Sequence, residues 1–527
     1  MTQLSSSFEA VAANADSAIT RADFIAYHAR VRHAQMAVVD LAANRQLTYS
    51  ELDREIAKCA GFLSGALANP HGARVATLGR NSVAHLVLHF ACVRVGAILQ
   101  PLNWRLCGPE LRAQVLDATP ELFIYQSEFE EAAKQAYEAT SVRQVVRIAP
   151  QHDELQTLIH RAAPCEARDF GNDAPITLLY TSGTTGNPKG VIVTRGNAWA
   201  TAFNFSMTNE VCPGDVLLCD MPLFHVAGLF GVARAALFMG ATVRVSDRFI
   251  PEVALQRLSD RSFGITHYFA VPQMAMAMLQ DAAWDKSDLT RLKALVIGGA
   301  PLPKSVSERL FSQGVMPIEG YGISEAGTVT GLPLDREVIA RKAGSCGVAS
   351  MLIDICIAGP DGEEVAAGEV GEMWLKGPSV TPGYWNAPEA TAKAFHDGWF
   401  KTGDAARRDA DGFYQIVDRW KDMFITGGEN VYPAEVEAVL VELPAVAEAA
   451  VVGVTDERWG ECGCAYIVSR SSVTEQDVLA HCQARLARYK IPKHVRFVDA
   501  LPRTGSGKVK KDALRHAFQE LSKERSS

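Results

Sequence analysis

Short apolar runs alternate with amphipathic stretches along most of this chain. Arg74 to Leu78 is a branched, apolar run that predicts a strand. Gly79 to Ser82 follows as a turn, with a helix cap at Asn81 or Ser82. Val83 to Val95 has helical length, Gly96 ends it, and Ala97 to Leu102 is a second strand, which completes a βαβ unit. The pattern returns with a strand at Ala294 to Ile297, a turn at Gly298 and Gly299, a helix from Lys304 and a strand at Val315 to Glu319. Such alternation predicts parallel sheets covered by helices on both faces, with ligands beyond the carboxyl ends of the strands. From Ile353 to Trp385 the pattern changes to short strands broken by Gly and Pro turns, which predicts a small antiparallel or barrel-like unit. After Arg419 come a helix at Pro433 to Leu440, strands at Ala449 to Val454 and Gly463 to Val468, a helix at Thr474 to Leu486 and a strand at His494 to Val498. Thr474 and Asp477 form a capping pair at the start of the second of these helices.

Composition changes this picture little. The 527 residues exceed one ordinary core, so at least two domains are expected. Hydrophobic residues at 48% and charged residues at 21% are ordinary for a globular chain. A formal net charge of −8, with no basic run of five, argues against nucleic acid as the main partner. No basic-then-apolar leader opens the sequence, and no run reaches the roughly 20 apolar residues of a membrane span, so a cytoplasmic protein without a transmembrane segment is expected. The eleven cysteines are odd in number and scattered, which predicts reduced thiols. Cys462 and Cys464 lack zinc-site spacing and are expected to be strand thiols.

Chemistry concentrates in six segments. In the first, strands Ile176 to Tyr180 and Val191 to Val193 flank a loop containing Thr181, Ser182, Gly183, Thr184, Thr185, Gly186 and Lys189. Hydroxyls, glycine-exposed N–H groups and an ammonium suit a polyphosphate. The order differs from G-x-x-x-x-G-K-[ST] entering a helix, because Pro188 precedes Lys189 and a strand follows. The second, Glu319 to Gly327, carries Gly320, Tyr321, Gly322, Ser324 and Glu325 in what the glycines predict to be a tight loop. An aromatic face can stack on a base, and a carboxylate beside phosphates can anchor magnesium. The third places Asp404 after a Thr-Gly turn, where an acid can accept from both ribose hydroxyls. The fourth runs from Asp418, Arg419 and Lys421 to Gly427 and Gly428; its charge cluster lies between differently textured segments, as in an interdomain hinge. The fifth holds Lys508 on a Gly-Ser-Gly loop. The sixth sets His225 in an apolar run, Met221 to Gly228.

Taken in order, these segments resemble the successive motifs of the adenylate-forming superfamily, over roughly Leu47 to Lys511. Within it the chain is most similar to standalone acyl-CoA synthetases of the fatty-acid and aryl-acid type, a group also matched by Gln100 to Leu106. The resemblance implies an α/β multidomain fold. A large N-terminal domain, residues 1–419, would contain two doubly wound α/β subdomains and a small β-barrel-like subdomain. A small mobile α+β C-terminal domain, residues 420–527, would follow. It implies ATP, Mg2+ and a carboxylic acid as ligands, coenzyme A as co-substrate, and synthesis of an acyl-CoA through an acyl-AMP.

By the same resemblance, Thr181 to Gly186 and Lys189 hold phosphates, and Glu325 with Thr181 attends the metal. Ser324 meets the α-phosphate, and Tyr321 packs on adenine among Gly299, Ala300, Pro301, Glu319, Gly320 and Gly322. Asp404 and Arg419 hold the ribose, and Lys508 bridges carboxylate and α-phosphate. His225, Phe269, Gly298, Gly320 and Thr328 line the acyl pocket. Lys421 is the pivot; Gly427, Gly428 and Trp459 serve the coenzyme A side. Loading of a separate carrier protein and a non-catalytic nucleotide-binding scaffold are the alternatives; fewer than twenty residues follow Lys508, and both Lys508 and Glu325 are present. Which acid is activated stays open, as does assembly, with a homodimer as one option.

Overall fold

Val83–Val95 is apolar on nearly every face and forms a helix buried along its length. The Ser82 hydroxyl caps it by accepting the His85 N–H, and Gly96 closes it in the left-handed region at φ 76°. Asn81 has a different task from the cap expected of it. Its buried amide donates to the Met221 carbonyl at 2.9 Å and accepts the Leu223 N–H at 2.8 Å. The helix start is thereby tied to the segment that leads into His225.

The computed structural model describes residues 23–181, 188–426, 429–456, 459–503 and 509–524. The chain divides into two compact units, residues 1–354 with 375–400, and residues 355–374 with 401–527. Among the described residues, the first unit holds a seven-stranded and a nine-stranded sheet. The smaller runs in the order His152–Asp153, Gln144–Ala149, Leu122–Gln126, Arg74–Leu78, Ile98–Leu102, Pro175–Thr181, Lys189–Thr194. Its interior pairs are parallel and both edge pairs are antiparallel. In the larger sheet Met36–Asp40, Thr242–Val245, Val216–Cys219, His267–Ala270, Ala294–Ile297 and the first part of Pro317–Ile323 are parallel neighbours. Antiparallel strands again finish both edges. The parallel strands are apolar runs because helices cover both faces, so the βαβ reading of the sequence holds.

In the second unit the central sheet contains Glu429–Val431, Phe424–Thr426, Gly460–Ser469, Val446–Asp456 and His494–Phe497. Cys462 and Cys464 sit buried on its long strand, and all eleven cysteines are free thiols. The Thr474 capping box with Asp477 is present at helix Glu475–Gln483, which is shorter at its C-terminus than the apolar pattern suggested. The short-strand texture from Ile353 to Trp385 corresponds to strands Asp354–Ala358 and Val370–Lys376; Trp399–Arg408 and Tyr414–Arg419 follow beyond it. No described helix is long and apolar enough to cross a membrane.

Candidate active site

The first chemistry-bearing segment begins where two strands end. Pro175–Thr181 and Lys189–Thr194 pair antiparallel, with Thr181 opposite Lys189. Ser182, Gly183, Thr184, Thr185 and Gly186 lie outside the described residues. The flanks are tightly held. Tyr180 donates its hydroxyl proton to Asp117 Oδ2 at 2.6 Å, and Trp385 N–H donates to the Gly190 carbonyl at 2.7 Å. A Cβ at Gly190 would stand 3.1 Å from the Tyr180 ring and 3.3 Å from Trp385, so glycine allows this three-way approach. The Lys189 ammonium lies 5.1 Å from the centroid of the Tyr384 ring.

The second segment differs from the loop expected of it. Strand Pro317–Ile323 pairs parallel with Ala294–Ile297 as far as Glu319, then antiparallel with Gly327–Gly331 from Gly320 onward. Tyr321 faces Thr330 and Gly322 faces Thr328 in this register. The former loop is thus a β-hairpin whose turn carries Ser324 and Glu325. Glycine permits it: a Cβ on Gly322 would lie 2.4 Å from the Gly327 carbonyl oxygen, and Gly327 has φ +66°. Gly322→Ala is therefore expected to destabilise the chain by about 1–3 kcal/mol, read as a lower urea midpoint with unchanged slope.

Ser324 and Glu325 are half-buried and border a small cavity with Thr201, Val226 and Phe230. The backbone of the turn is fastened by Thr381, whose N–H donates to the Glu325 carbonyl at 2.7 Å. On its side chain, Glu325 Oε1 accepts the Tyr384 hydroxyl proton at 3.0 Å. Among the described residues no three His, Cys, Asp or Glu side chains form a metal cage. A single carboxylate on a turn fits a magnesium ion held mostly by phosphate oxygens.

Glu319 sits where the parallel pairing ends. Its buried carboxylate accepts N–H groups from Gly344 (3.0 Å) and Leu302, while burial pushes its pKa up to about 6. It therefore holds the exposed loop of Gly299, Ala300 and Pro301 in place through Leu302.

Three of the residues assigned to the acyl pocket come together. Gly298 follows strand Ala294–Ile297, and a Cβ there would meet the Gly320 carbonyl at 3.1 Å and the Phe269 ring at 3.2 Å. Phe269, Gly298 and Gly320 thus share one wall at neighbouring strand ends. Thr328 lies on the hairpin, with its carbonyl accepting from Asn204 at 3.4 Å. His225 is half-buried, its ring 4.5 Å from that of Phe224. Its carbonyl accepts the Leu229 N–H at 3.1 Å, where a π-helical turn, Ala227–Ala233, begins. Val226, the next residue, is the one that reaches the cavity beside Ser324 and Glu325.

In the second unit, Asp404 and Arg419 are register partners on adjacent antiparallel strands. Arg419 Nε donates to Asp404 Oδ1 at 2.8 Å. Asp404 is buried, and its N–H donates to the Thr402 hydroxyl at 3.0 Å; Gly403 takes φ +71° to make that turn. The sequence placed these two residues fifteen positions apart, and the hairpin brings them together. Trp459 is exposed; its N–H donates to Asp456 Oδ1 at 2.9 Å and the Lys493 ammonium stands 5.5 Å from its ring. Lys508, Gly427, Gly428 and the side chain of Lys421 lie outside the described residues; the Lys421 backbone belongs to a 3-10 turn, Trp420–Asp422.

Sequence reasoning missed Tyr384, Thr381 and Asp117. The turn sequence Pro382-Gly383-Tyr384-Trp385 was the available signal for the first, since an aromatic after Pro-Gly is displayed by a turn.

The chain is similar to known proteins over most of its length. The AMP-binding enzyme family matches residues 25–385, and the AMP-binding enzyme C-terminal domain matches residues 435–508. A feruloyl-CoA synthase from Amycolatopsis sp is 41% identical over 90% of this chain and 94% of its own length. A long-chain-fatty-acid–CoA ligase from Mycobacterium tuberculosis is 36% identical over 92% of this chain and 95% of its own. The crystal structure of ATP-bound MatB from Rhodopseudomonas palustris superposes with TM-score 0.85 at 30% identity, covering 95% of this chain and 99% of that one.

Proposed function

The chain belongs to the AMP-binding enzyme family, and on that premise we propose that it is an AMP-forming acyl-CoA ligase acting on an aryl or arylpropenoic acid. The observation that carries this reading is the shared strand end in the nine-stranded sheet. Strand Pro317–Ile323 packs Gly320 against Gly298 and Phe269, and its hairpin turn carries Ser324 and Glu325. An acid seated on the first group of residues would meet a phosphate beside the second.

In the first half-reaction a carboxylate oxygen attacks the α-phosphorus of ATP and pyrophosphate leaves. In the second, the coenzyme A sulfur attacks the acyl carbon, loses its proton, and AMP leaves. The Ser324 hydroxyl would donate to the α-phosphate, and Tyr321 would lie against adenine. The Asp404 carboxylate would accept from the ribose hydroxyls while Arg419 fixes its orientation. Glu325 would hold the magnesium of the triphosphate, whose charge offsets that of the departing pyrophosphate. Lys508 would neutralise carboxylate and phosphate as they meet, which is positional and electrostatic catalysis. Residues 420–527 would act in two orientations about Lys421, one presenting Lys508 and the other Gly427 and Gly428 to the thiol.

The aryl assignment is supported by the Phe269 ring beside Gly298 and by the greater identity to the feruloyl-CoA synthase than to the fatty-acid ligase. The purified chain with ATP, magnesium and coenzyme A is expected to convert hydroxycinnamates to thioesters, detected by mass. Their kcat/KM should exceed that of C12 to C16 fatty acids by about 100-fold, since each wrongly placed group costs 1–3 kcal/mol. Preference for the fatty acids would overturn the substrate class; absence of any thioester would overturn the ligase reading.

A further inference from the structure

Tyr384 joins two parts of the first unit that the proposed chemistry uses separately. Its hydroxyl donates to Glu325 Oε1 at 3.0 Å, and its ring lies 5.1 Å from the Lys189 ammonium. The side chain is well fixed for this. Its N–H donates to the Thr391 hydroxyl at 3.0 Å, and its backbone bridges Val191, two residues beyond Lys189. Thr381, three residues earlier, binds both sides as well: its N–H donates to the Glu325 carbonyl, and its hydroxyl donates to the Ile192 carbonyl at 2.7 Å. A phenol is protonated at neutral pH and a carboxylate can only accept, so the Tyr384 hydroxyl is the donor.

A carboxylate that is to receive a cation loses rotational freedom when it binds. A fixed hydroxyl on one oxygen removes that freedom beforehand. A cation over an aromatic face is likewise held without being neutralised, so its charge stays available to an anion. We propose that Tyr384 is a positioning residue for adenylation, orienting Glu325 toward the metal–triphosphate and seating Lys189 on its ring. This rests on the adenylation reading above and assigns to Tyr384 a role that neither partner can perform alone.

Two variants separate the contributions. Tyr384→Phe keeps the ring and removes the hydroxyl; Tyr384→Leu removes both. Mn2+ is titrated into the full chain with α,β-methylene ATP and followed by electron paramagnetic resonance, alongside thermal melting. Tyr384→Phe is expected to weaken Mn2+ binding about tenfold, the low end for loss of a partner that orients a metal ligand, with melting unchanged. Tyr384→Leu should show the same loss and additionally weaken metal-free binding of the nucleotide. Wild-type Mn2+ affinity in Tyr384→Phe, with Glu325→Gln losing binding, would overturn the positioning role and leave the adenylation reading intact. Lower melting with unchanged Mn2+ affinity in the folded protein would reduce Tyr384 to a packing residue and also overturn it. Failure of the wild-type chain to bind Mn2+ with the nucleotide would overturn both.

Discussion

Lys508→Ala is expected to slow acyl-AMP formation about 10²- to 10³-fold, the usual cost of losing one preorganised charge at a reacting centre. Thioester formation from a supplied acyl-AMP should change by no more than about twofold. The asymmetry follows from the chemistry. Only in the first half-reaction do two anions, carboxylate and triphosphate, approach one another, and Lys508 is the residue proposed to lie between them. In the second half a neutral acyl carbon meets a thiol, so that charge has little to offset. Pyrophosphate exchange measures the first step, and thioester appearance from synthetic acyl-AMP measures the second. Equal loss in both would remove the two-orientation assignment for residues 420–527.

Asp404→Asn is expected to raise the KM for ATP about 10- to 100-fold, at little cost in stability. The buried carboxylate accepts from Arg419 at 2.8 Å. Hydrogen bonds to a charged group contribute about 1.5–3 kcal/mol, and the amide would lose both that strength and an acceptor for ribose. The Arg419 side chain is 41% exposed, so water can solvate its charge once the partner is neutral. The loss in folding free energy should then stay near 1 kcal/mol. Titration with ATP and a urea melt on the same protein check both halves. A large drop in stability with an unchanged KM would make the pair a structural ion pair only.

Much of this arrangement was legible because the relevant signals are local. The parallel strands announce themselves as short apolar runs between helices, and the Gly96 stop and a cap at Asn81 or Ser82 can be read from residue type alone. Asp404 and Arg419 lie side by side because a hairpin pairs residues close in sequence. What escaped were relations set by pairing and packing over long separations. Nothing local distinguishes a glycine loop from a hairpin between Gly320 and Gly331, since glycine permits both; the neighbouring carbonyl at Gly327 decides. The N–H donors that meet the Glu319 carboxylate lie at Leu302 and Gly344, distant from it in the chain. A turn signal marks Tyr384, but its partners, Lys189 and Glu325, escaped because they are far from it in the chain. Asn81 offered itself as a cap, and burial recruited it to Met221 and Leu223 instead.

The central claim is that an acyl-AMP is formed and then cleaved by coenzyme A. It is tested most directly by following oxygen from a carboxyl-labelled 18O acid through one turnover. Attack of the carboxylate on the α-phosphorus makes a labelled oxygen the bridge, and thiol attack at the acyl carbon leaves that atom on phosphorus. One 18O per thioester should therefore appear in AMP, with pyrophosphate unlabelled. Label in inorganic phosphate with ADP as co-product, or thioester formed with no label in AMP, would contradict the account.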